Sequence, residues 1–374
     1  MKYKVLIAIA VSFLLSIPAG SQNLRLLVGT YTENTGAEGV YLYSFDTETA
    51  ACKLVGCSPA GNPSFVIASP EGKTAYSVNE FNDGRQAVSS FALDGWTLRP
   101  AETVPIPKEF VDGGDPCNLL LAGNTLISSN YTGGTLTAFS LGRDGGIGQM
   151  VQHFDGNRYS EVPGADAPNP AHIHCAALSP DGKYIFVTDL GNDRILKFSK
   201  EGGTFQLTQA TTAWQEESPQ QFGPRHLTFS RDGRFAYLIC ELSDKLVVFS
   251  YRDGVLSPIQ TIMAYNGKGH GSADIHISPD GRFLYTSHRL KKDGIAIFAI
   301  NGNTGKVRKV GFTRTGRHPR NFAISPDGHF LLCACRDDNR IEIYAIDQKT
   351  GHLSPAREPI CVSAPVCVQF VPFD

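Results

Sequence analysis

The sequence predicts an all-β fold, a seven-bladed β-propeller. Two observations carry this: a strand–turn–strand motif that recurs with a period near 48 residues, and two chain ends that read as parts of a single repeat. The motif turns are SPEG at Ser69, SPDG at Ser179, SRDG at Ser230, SPDG at Ser278 and SPDG at Ser325. Successive turn serines are 110, 51, 48 and 47 residues apart, the first step being about two periods. The run Leu119–Ile127 sits midway through that long step as a degenerate copy. Periods of this length built only of strands are the signature of propeller blades.

Each copy reads in the same order. An apolar strand runs into a tight turn, where Asp-Gly or Glu-Gly supplies the backbone that needs positive φ. A second strand rich in Phe, Tyr, Val or Ile follows. A third such as Leu246-Val-Val-Phe249 or Ile295-Ala-Ile-Phe298 comes next. Six copies make six blades.

The ends supply the seventh. Ser363–Phe370 matches the first strand of a repeat, and Pro365 falls 46 residues after Pro319. The strands missing from that blade begin the chain, at Leu24–Tyr31 and Gly39–Phe45. Joining both termini in one blade closes the ring and removes exposed strand edges.

Ahead of the propeller, Lys2 and Lys4 precede the apolar run Val5–Ile17, and the small residues Ala19 and Ser21 follow. This is the pattern of an export signal, and 13 apolar residues are short for a bilayer span. We expect a signal peptide over 1–21, cleavage near Ser21/Gln22, no membrane association afterwards, and a propeller over 22–374. No Cys follows the cleavage point to carry a lipid.

Composition is that of an ordinary soluble chain: 374 residues, 41% hydrophobic, 19% charged, net charge −2. It carries no basic tail or block that would mark a nucleic-acid partner. Nine cysteines lie mostly inside apolar strand patterns and read as buried thiols. Cys52 and Cys57 are the pair that export could oxidise to a disulfide.

Charged residues stand where the blade core ends. With the turn serine as zero, the residues five before it are Ser64, His174, Arg225, Ala273 and Arg320. Those eleven after it are Glu80, Leu190, Glu241, Arg289 and Arg336. In an antiparallel hairpin both positions lie at the same end. The first strand of a propeller blade lines the central channel, so these residues gather at one channel mouth. Asn79, Asp274, His276 and His288 lie close by in the same register. A single charge at a strand end is normally only solvated. Three arginines, a histidine and a glutamate in one register instead describe a pocket with a positive local field, suited to an anionic ligand.

Several segments resemble the bacterial propeller-type 6-phosphogluconolactonase family, which is also similar to fungal carboxy-cis,cis-muconate lactonising enzymes. They are Leu27-Val-Gly-Thr-Tyr-Thr32, His174-Cys-Ala-Ala-Leu-Ser-Pro-Asp181, Gly223-Pro-Arg-His226, Glu241-Leu242, Ala273–Arg282 and Pro319-Arg320. The similarity runs from about Leu24 to the C-terminus. The resemblance implies a seven-bladed propeller, hydrolysis of a sugar lactone, and a site made of His174, Arg225, Arg289 and Glu241. Arg320, His276, Asp274 and Asn79 are the expected substrate-binding residues. One feature departs from the family: sugar-phosphate lactones are cytosolic, whereas this chain carries an export signal.

Lactone hydrolysis needs a water, a base for it and a stabiliser for the oxyanion. His174 is the expected base, with Glu241 orienting the water or sharing that role. Arg225 and Arg289 are expected to bind the oxyanion or a substrate anion. No Gly-x-Ser-x-Gly elbow is present to support acyl-enzyme chemistry. His172 and His174, alternate residues on a strand, would share a face as a metal pair needs, but no carboxylates cluster nearby, and a site without metal or cofactor is expected. The rival readings are a muconate-type lactonising enzyme using the same arginines, and a non-catalytic propeller that binds an acidic sugar. Neither oligomeric state nor the exact lactone is legible.

Overall fold

The computed structural model describes residues 23–107, 114–160, 167–201, 204–207, 209–266 and 269–371. The expected signal peptide lies outside the described residues. The chain forms a seven-bladed β-propeller, each blade an antiparallel sheet.

The first blade is the closing one. Its spatial order is β29 (Pro365–Val371), β1 (Asn23–Thr30), β2 (Gly39–Asp46), β3 (Cys52–Pro59). The second blade holds β4 (Val66–Ala68), β5 (Thr74–Asn79), β6 (Ala87–Asp94) and β7 (Thr97–Pro105). The third holds β8 (Pro116–Leu121), β9 (Thr125–Asn130), β10 (Thr135–Leu141) and β11 (Ile147–Asp155). The fourth holds β12 (Ile173–Leu178), β13 (Tyr184–Asp189) and β14 (Arg194–Glu201), whose far edge pairs with both β15 (Thr204–Phe205) and β16 (Thr211–Gln215). The fifth runs β17 (Pro224–Phe229), β18 (Phe235–Cys240), β19 (Lys245–Arg252), β20 (Val255–Met263). The sixth runs β21 (Ser272–Ile277), β22 (Phe283–His288), β23 (Gly294–Ile300), β24 (Val307–Arg314). The seventh runs β25 (Pro319–Ile324), β26 (Phe330–Cys335), β27 (Arg340–Ile346), β28 (Leu353–Cys361). The degenerate copy in the long repeat step is therefore a complete blade.

The repeated turn works through its serine. Ser230 Oγ donates to Asp232 Oδ1 at 2.7 Å and accepts from Phe235 N at 3.0 Å. Ser179 and Ser278 do the same with Asp181 and Asp280. Gly233, at φ 71°, occupies the left-handed position that closes the turn.

The core lies between blades. Phe45, Phe370, Leu26 and Ile341, from the first and seventh blades, form one such layer, with Phe45 and Phe370 edge to face at 5.3 Å. Burying each such side chain contributes about 1.5–3 kcal/mol. The inner strands touch in sequence around the channel, β4 to β8, β12, β17, β21, β25 and β29, and β29 meets β4 again. Side chains tie neighbouring inner strands together. Asn118 Oδ1 accepts from Ala176 N (3.1 Å), and Asn321 Oδ1 accepts from Val368 N (2.7 Å). The ring closes as the two termini predict.

One expectation is corrected. Cys52 and Cys57 are free thiols on the same strand, β3. Five residues of extended chain separate their Cα atoms by roughly 16 Å, far beyond the reach of a disulfide.

Candidate active site

The fold builds the channel mouth from two sets of equivalent residues. Strands β8, β12, β17, β25 and β29 each carry a register shift at their first residues, skipping Cys117, His174, Arg225, Arg320 and Val366 in turn. A bulge leaves one residue out of the ladder and re-aims its side chain. Of the residues five before the turn, His174, Arg225 and Arg320 are therefore turned out of the blade by bulges. The second set follows each blade's second strand: Tyr31, Glu80, Tyr131, Leu190, Glu241, Arg289 and Arg336. Each donates its backbone N–H, over 2.7–3.2 Å, to the carbonyl two residues before a member of the first set. In the fifth blade this bond runs from Glu241 N to Gly223 O at 2.7 Å. Gly223 has φ 68°, and a Cβ there would meet Leu242 Cγ at 2.6 Å. The glycine thus lets the chain enter β17 with Arg225 beside Glu241.

Glu241 joins two blades. Arg225 Nε donates to Glu241 Oε2 at 2.8 Å, and Arg289 Nη2 donates to Oε1 at 2.9 Å. Arg225 is 2% exposed and Arg289 5%. Burial pushes the Glu241 carboxyl up, but Arg289 and Arg225 outweigh it and hold the group ionised below the ordinary carboxylate range. Burial, reinforced by Arg225, lowers Arg289 to about 9 against the pull of Glu241, which leaves it cationic at neutral pH.

His174 stands beside this ion cluster and makes no hydrogen bond to it. Its Nδ1 is buried and has no hydrogen-bond partner among the described residues. Its ring packs edge to face on Tyr131 at 5.5 Å and on His226 at 5.1 Å. Burial, then Arg225, hold its imidazole well below the usual histidine range, so it is neutral at neutral pH. His172 does not share its setting. It precedes β12, stacks flat on Tyr131 at 4.7 Å, and its Nδ1 lies 3.1 Å from Tyr131 O. The expected His172–His174 face is interrupted by the bulge at His174. Among the described residues, no three His, Cys, Asp or Glu side chains are grouped to hold a metal.

A second carboxylate organises the opposite side. Glu80 accepts from Tyr31 Oη at 2.8 Å and from Ser64 Oγ, and Arg320 Nη2 approaches it at 3.6 Å. Arg320 also faces the Tyr31 ring at 5.7 Å. Burial would lower Arg320, but Tyr31 and Glu80 outweigh it and keep it charged. Of the three arginines it has the longest carboxylate contact, so its donors are the freest for a ligand.

The remaining predicted residues take scaffold partners. Asn79 donates to Gly61 O (3.0 Å) and accepts from Ser89 Oγ (2.7 Å), both in or beside its own blade. Asp274 is buried and accepts from His226 Nδ1 (2.8 Å), Ile275 N (2.9 Å), His276 Nε2 (2.9 Å), Asn321 Nδ2 (2.5 Å) and Phe322 N (3.3 Å). His276 is 42% exposed along the channel, rests on Phe322, and is raised by Asp274 against burial. His288 is enclosed between Ser272 and Thr286. Sequence reasoning did not single out Tyr31, Tyr131, His226 or His318 as site members, nor weigh Glu80. Tyr131 and Tyr31 belong to the two blades without a turn serine to number from.

The fold is a closed propeller that gathers a buried cluster of arginines and carboxylates from separate blades at one end of its inner strands. The profile of the lactonase family with a seven-bladed β-propeller matches residues 25–370, and the chain belongs to that family. A 6-phosphogluconolactonase of Formosa agariphila is 33% identical over 352 residues, covering 92% of this chain and 98% of that protein. The Bacillus subtilis 6-phosphogluconolactonase is 29% identical, covering 92% and 97%. The structure of the Pseudomonas aeruginosa periplasmic gluconolactonase PpgL, 29% identical, superposes with a TM-score of 0.80, covering 94% of this chain and 100% of that one.

Proposed function

We propose that this chain hydrolyses a sugar lactone, an aldonolactone or its 6-phosphate, by direct water attack carried by its own side chains. The observation that carries the reading is the Glu241 carboxylate held between Arg225 and Arg289 beside the buried, neutral, bond-free imidazole of His174. Relatives named 6-phosphogluconolactonase and gluconolactonase support the same class of reaction.

The chemistry follows from the electrostatics. Attack on a lactone carbonyl creates an oxyanion, and buried guanidinium donors already held by protein partners stabilise it without reorganising. Glu241 fits the role of holder for both guanidiniums. Its oxygens are already engaged by the two arginines, whereas His174 Nδ1 is not engaged. His174 is neutral and takes the water proton as the new C–O bond forms. Its conjugate acid is strong, because burial and Arg225 disfavour the charge. It therefore returns the proton readily to the ring oxygen as the C–O ring bond breaks, yielding the hydroxy acid. Arg320 is the anchor for a carboxylate or phosphate on the substrate. Asp274, His276 and Asn79 fit a supporting role better than direct substrate contact, given their protein partners.

The segment 1–21 fits export, which a periplasmic structural relative supports. The test is pH-stat titration of the purified chain with gluconolactone and its 6-phosphate. Acid release above the spontaneous rate is expected. No release with retained binding would favour a sugar-binding scaffold, and ring closure of a muconate-type diacid would favour the lactonising alternative.

A further inference from the structure

Each of the two arginines on Glu241 has two further partners: a backbone carbonyl, Ala273 O for Arg225 Nη1 (2.5 Å) and Gly271 O for Arg289 Nε (3.1 Å), and in both cases a histidine ring nitrogen. Arg225 Nη1 lies 3.2 Å from His226 Nε2. Arg289 Nη1 lies 3.4 Å from His318 Nε2. The two histidines come from different blades and play equivalent parts. Asp274 Oδ1 is hydrogen-bonded to the other ring nitrogen of His226, Nδ1, at 2.8 Å; Asp337 Oδ2 stands behind His318 Nδ1 more loosely, at 3.7 Å, beyond hydrogen-bond distance.

The hydrogen-bond inventory settles the tautomer. A guanidinium has only donors, so a ring nitrogen facing it must present a lone pair. His226 Nε2 must then be unprotonated. Its proton must sit on Nδ1, where the Asp274 carboxylate accepts it. An Nε2–H tautomer would set two donors against each other and leave Asp274 without that donor. A doubly protonated ring would do the first of these and add a cation beside Arg225. The groups facing His226 are Arg225, Asp274, His174 and, through Asp274, His276.

We propose that His226 and His318 are positioning residues for the hydrolysis, each holding one of the two Glu241-bound arginines through a ring lone pair, and that Asp274 locks His226 in the tautomer that can do so. The proposal rests on the lactonase reading for its kinetic consequence but not for its structural claim. The pKa directions agree with it: burial and Arg225 push His226 down to about 4, and burial and Arg289 push His318 down to about 3. Glu241, the carbonyls of Ala273 and Gly271 and the two histidines together fix Arg225 and Arg289, as a site needs when a misplacement of about 1 Å costs around 10²-fold in rate.

Two measurements test this. The first is 15N–1H correlation of the histidine rings in wild-type protein between pH 5.5 and 8. The expected pattern for His226 is a neutral ring, protonated on Nδ1 and bare on Nε2, throughout. A proton on Nε2, or a cationic ring at pH 7, overturns the proposal whether or not the chain is a lactonase. The second compares His226→Gln with His226→Leu. Gln can place an amide oxygen near the Nε2 position; Leu cannot accept. Leu is expected to lower kcat about 10- to 100-fold with KM changed far less, and Gln to recover most of the loss. A purely structural role predicts instead that both variants lose activity in step with their loss of thermal stability. Equal activity in Leu and wild type also contradicts the proposal. If the Leu variant does not fold, the ring spectra decide alone.

Discussion

Arg225 and Arg289 come from different blades and donate to opposite oxygens of one carboxylate, Glu241, at 2.8 and 2.9 Å. Removing either guanidinium leaves the other pair intact but unbalances a largely buried cluster. Arg225→Ala or Arg289→Ala is expected to lower kcat about 10²–10³-fold if the side chain stabilises the oxyanion. A rise in KM with kcat nearly unchanged would instead assign that arginine to a ground-state anion. Steady-state kinetics on the best lactone separates the two.

Arg320 should behave differently. Its contact with Glu80 is 3.6 Å, so it is the freest of the three to take a substrate anion. Arg320→Lys keeps the charge but loses the planar fork. It should raise KM for a lactone carrying phosphate or carboxylate more than for an uncharged one, with kcat little altered. An equal KM change for both substrates, measured side by side, would remove Arg320 from that role.

Acid should destabilise the fold through its buried histidines. His226 is lowered to about 4 by burial and Arg225, His288 to about 3 by burial and Lys309, and His318 to about 3 by burial and Arg289; His174 is lowered as well. Unfolded, each titrates near 6.5. Below that pH the unfolded chain binds more protons than the native one, so stability falls as pH drops from about 6.5 toward 4. Each such group contributes up to about 1.4 kcal/mol per pH unit. His276, raised by Asp274, acts in the opposite sense, but only above about pH 6.5, where the native ring holds its proton more tightly; below that it adds no slope. Urea unfolding at pH 7.5, 6 and 5 should show a falling midpoint; a flat or rising midpoint contradicts the burial of neutral rings.

Deleting residues 365–374 removes β29, the innermost strand of the closing blade. Val366, Cys367, Val368, Phe370 and Val371 are buried there, and β29 pairs with β1 while packing on β25 and β4. Five such side chains at about 1.5–3 kcal/mol each are comparable with a whole domain's stability of roughly 5–15 kcal/mol. The truncated chain should be insoluble or unfolded by circular dichroism. A soluble β-rich protein with unchanged melting temperature would mean the ring closes otherwise.

Reaction by side chains alone also has a direct check. Activity should survive exhaustive dialysis against a chelator, and elemental analysis should find no stoichiometric metal. Loss of activity restored by one particular ion would shift the base role from His174 to a metal-bound water.

The propeller and the clustering of Arg225, Glu241 and Arg289 are both legible in the sequence, because both follow from the repeat register. Counting from the turn serine finds His174, Arg225, Glu241, Arg289 and Arg320, whose positions the bulges and the bond from Glu241 N to Gly223 O reproduce blade after blade. What register cannot show is which way a side chain turns and what meets it from another blade. Asp274 and Asn79 stand at suitable positions yet point into the scaffold. His226 and His318 gain their meaning only from arginines supplied by Arg225 beside one and Arg289 across a blade boundary from the other. Tyr31 and Tyr131 occupy the same position as Glu241, but their blades lack the marker turn. The supposed Cys52–Cys57 pair failed because nearness in sequence along an extended strand is separation in space.

The most direct measurement is kcat for lactone hydrolysis by four proteins in parallel: wild type, His174→Ala, Arg225→Ala and Arg234→Ala. Arg234 sits at the opposite end of the same blade, about half exposed, paired with Asp232 and Gly302 O and lying over the Phe235 ring. The account predicts losses of about 10²–10⁴-fold for His174→Ala and 10²–10³-fold for Arg225→Ala, with Arg234→Ala at wild-type activity. Equal losses in Arg225→Ala and Arg234→Ala, or full activity in His174→Ala, would contradict a catalytic channel mouth.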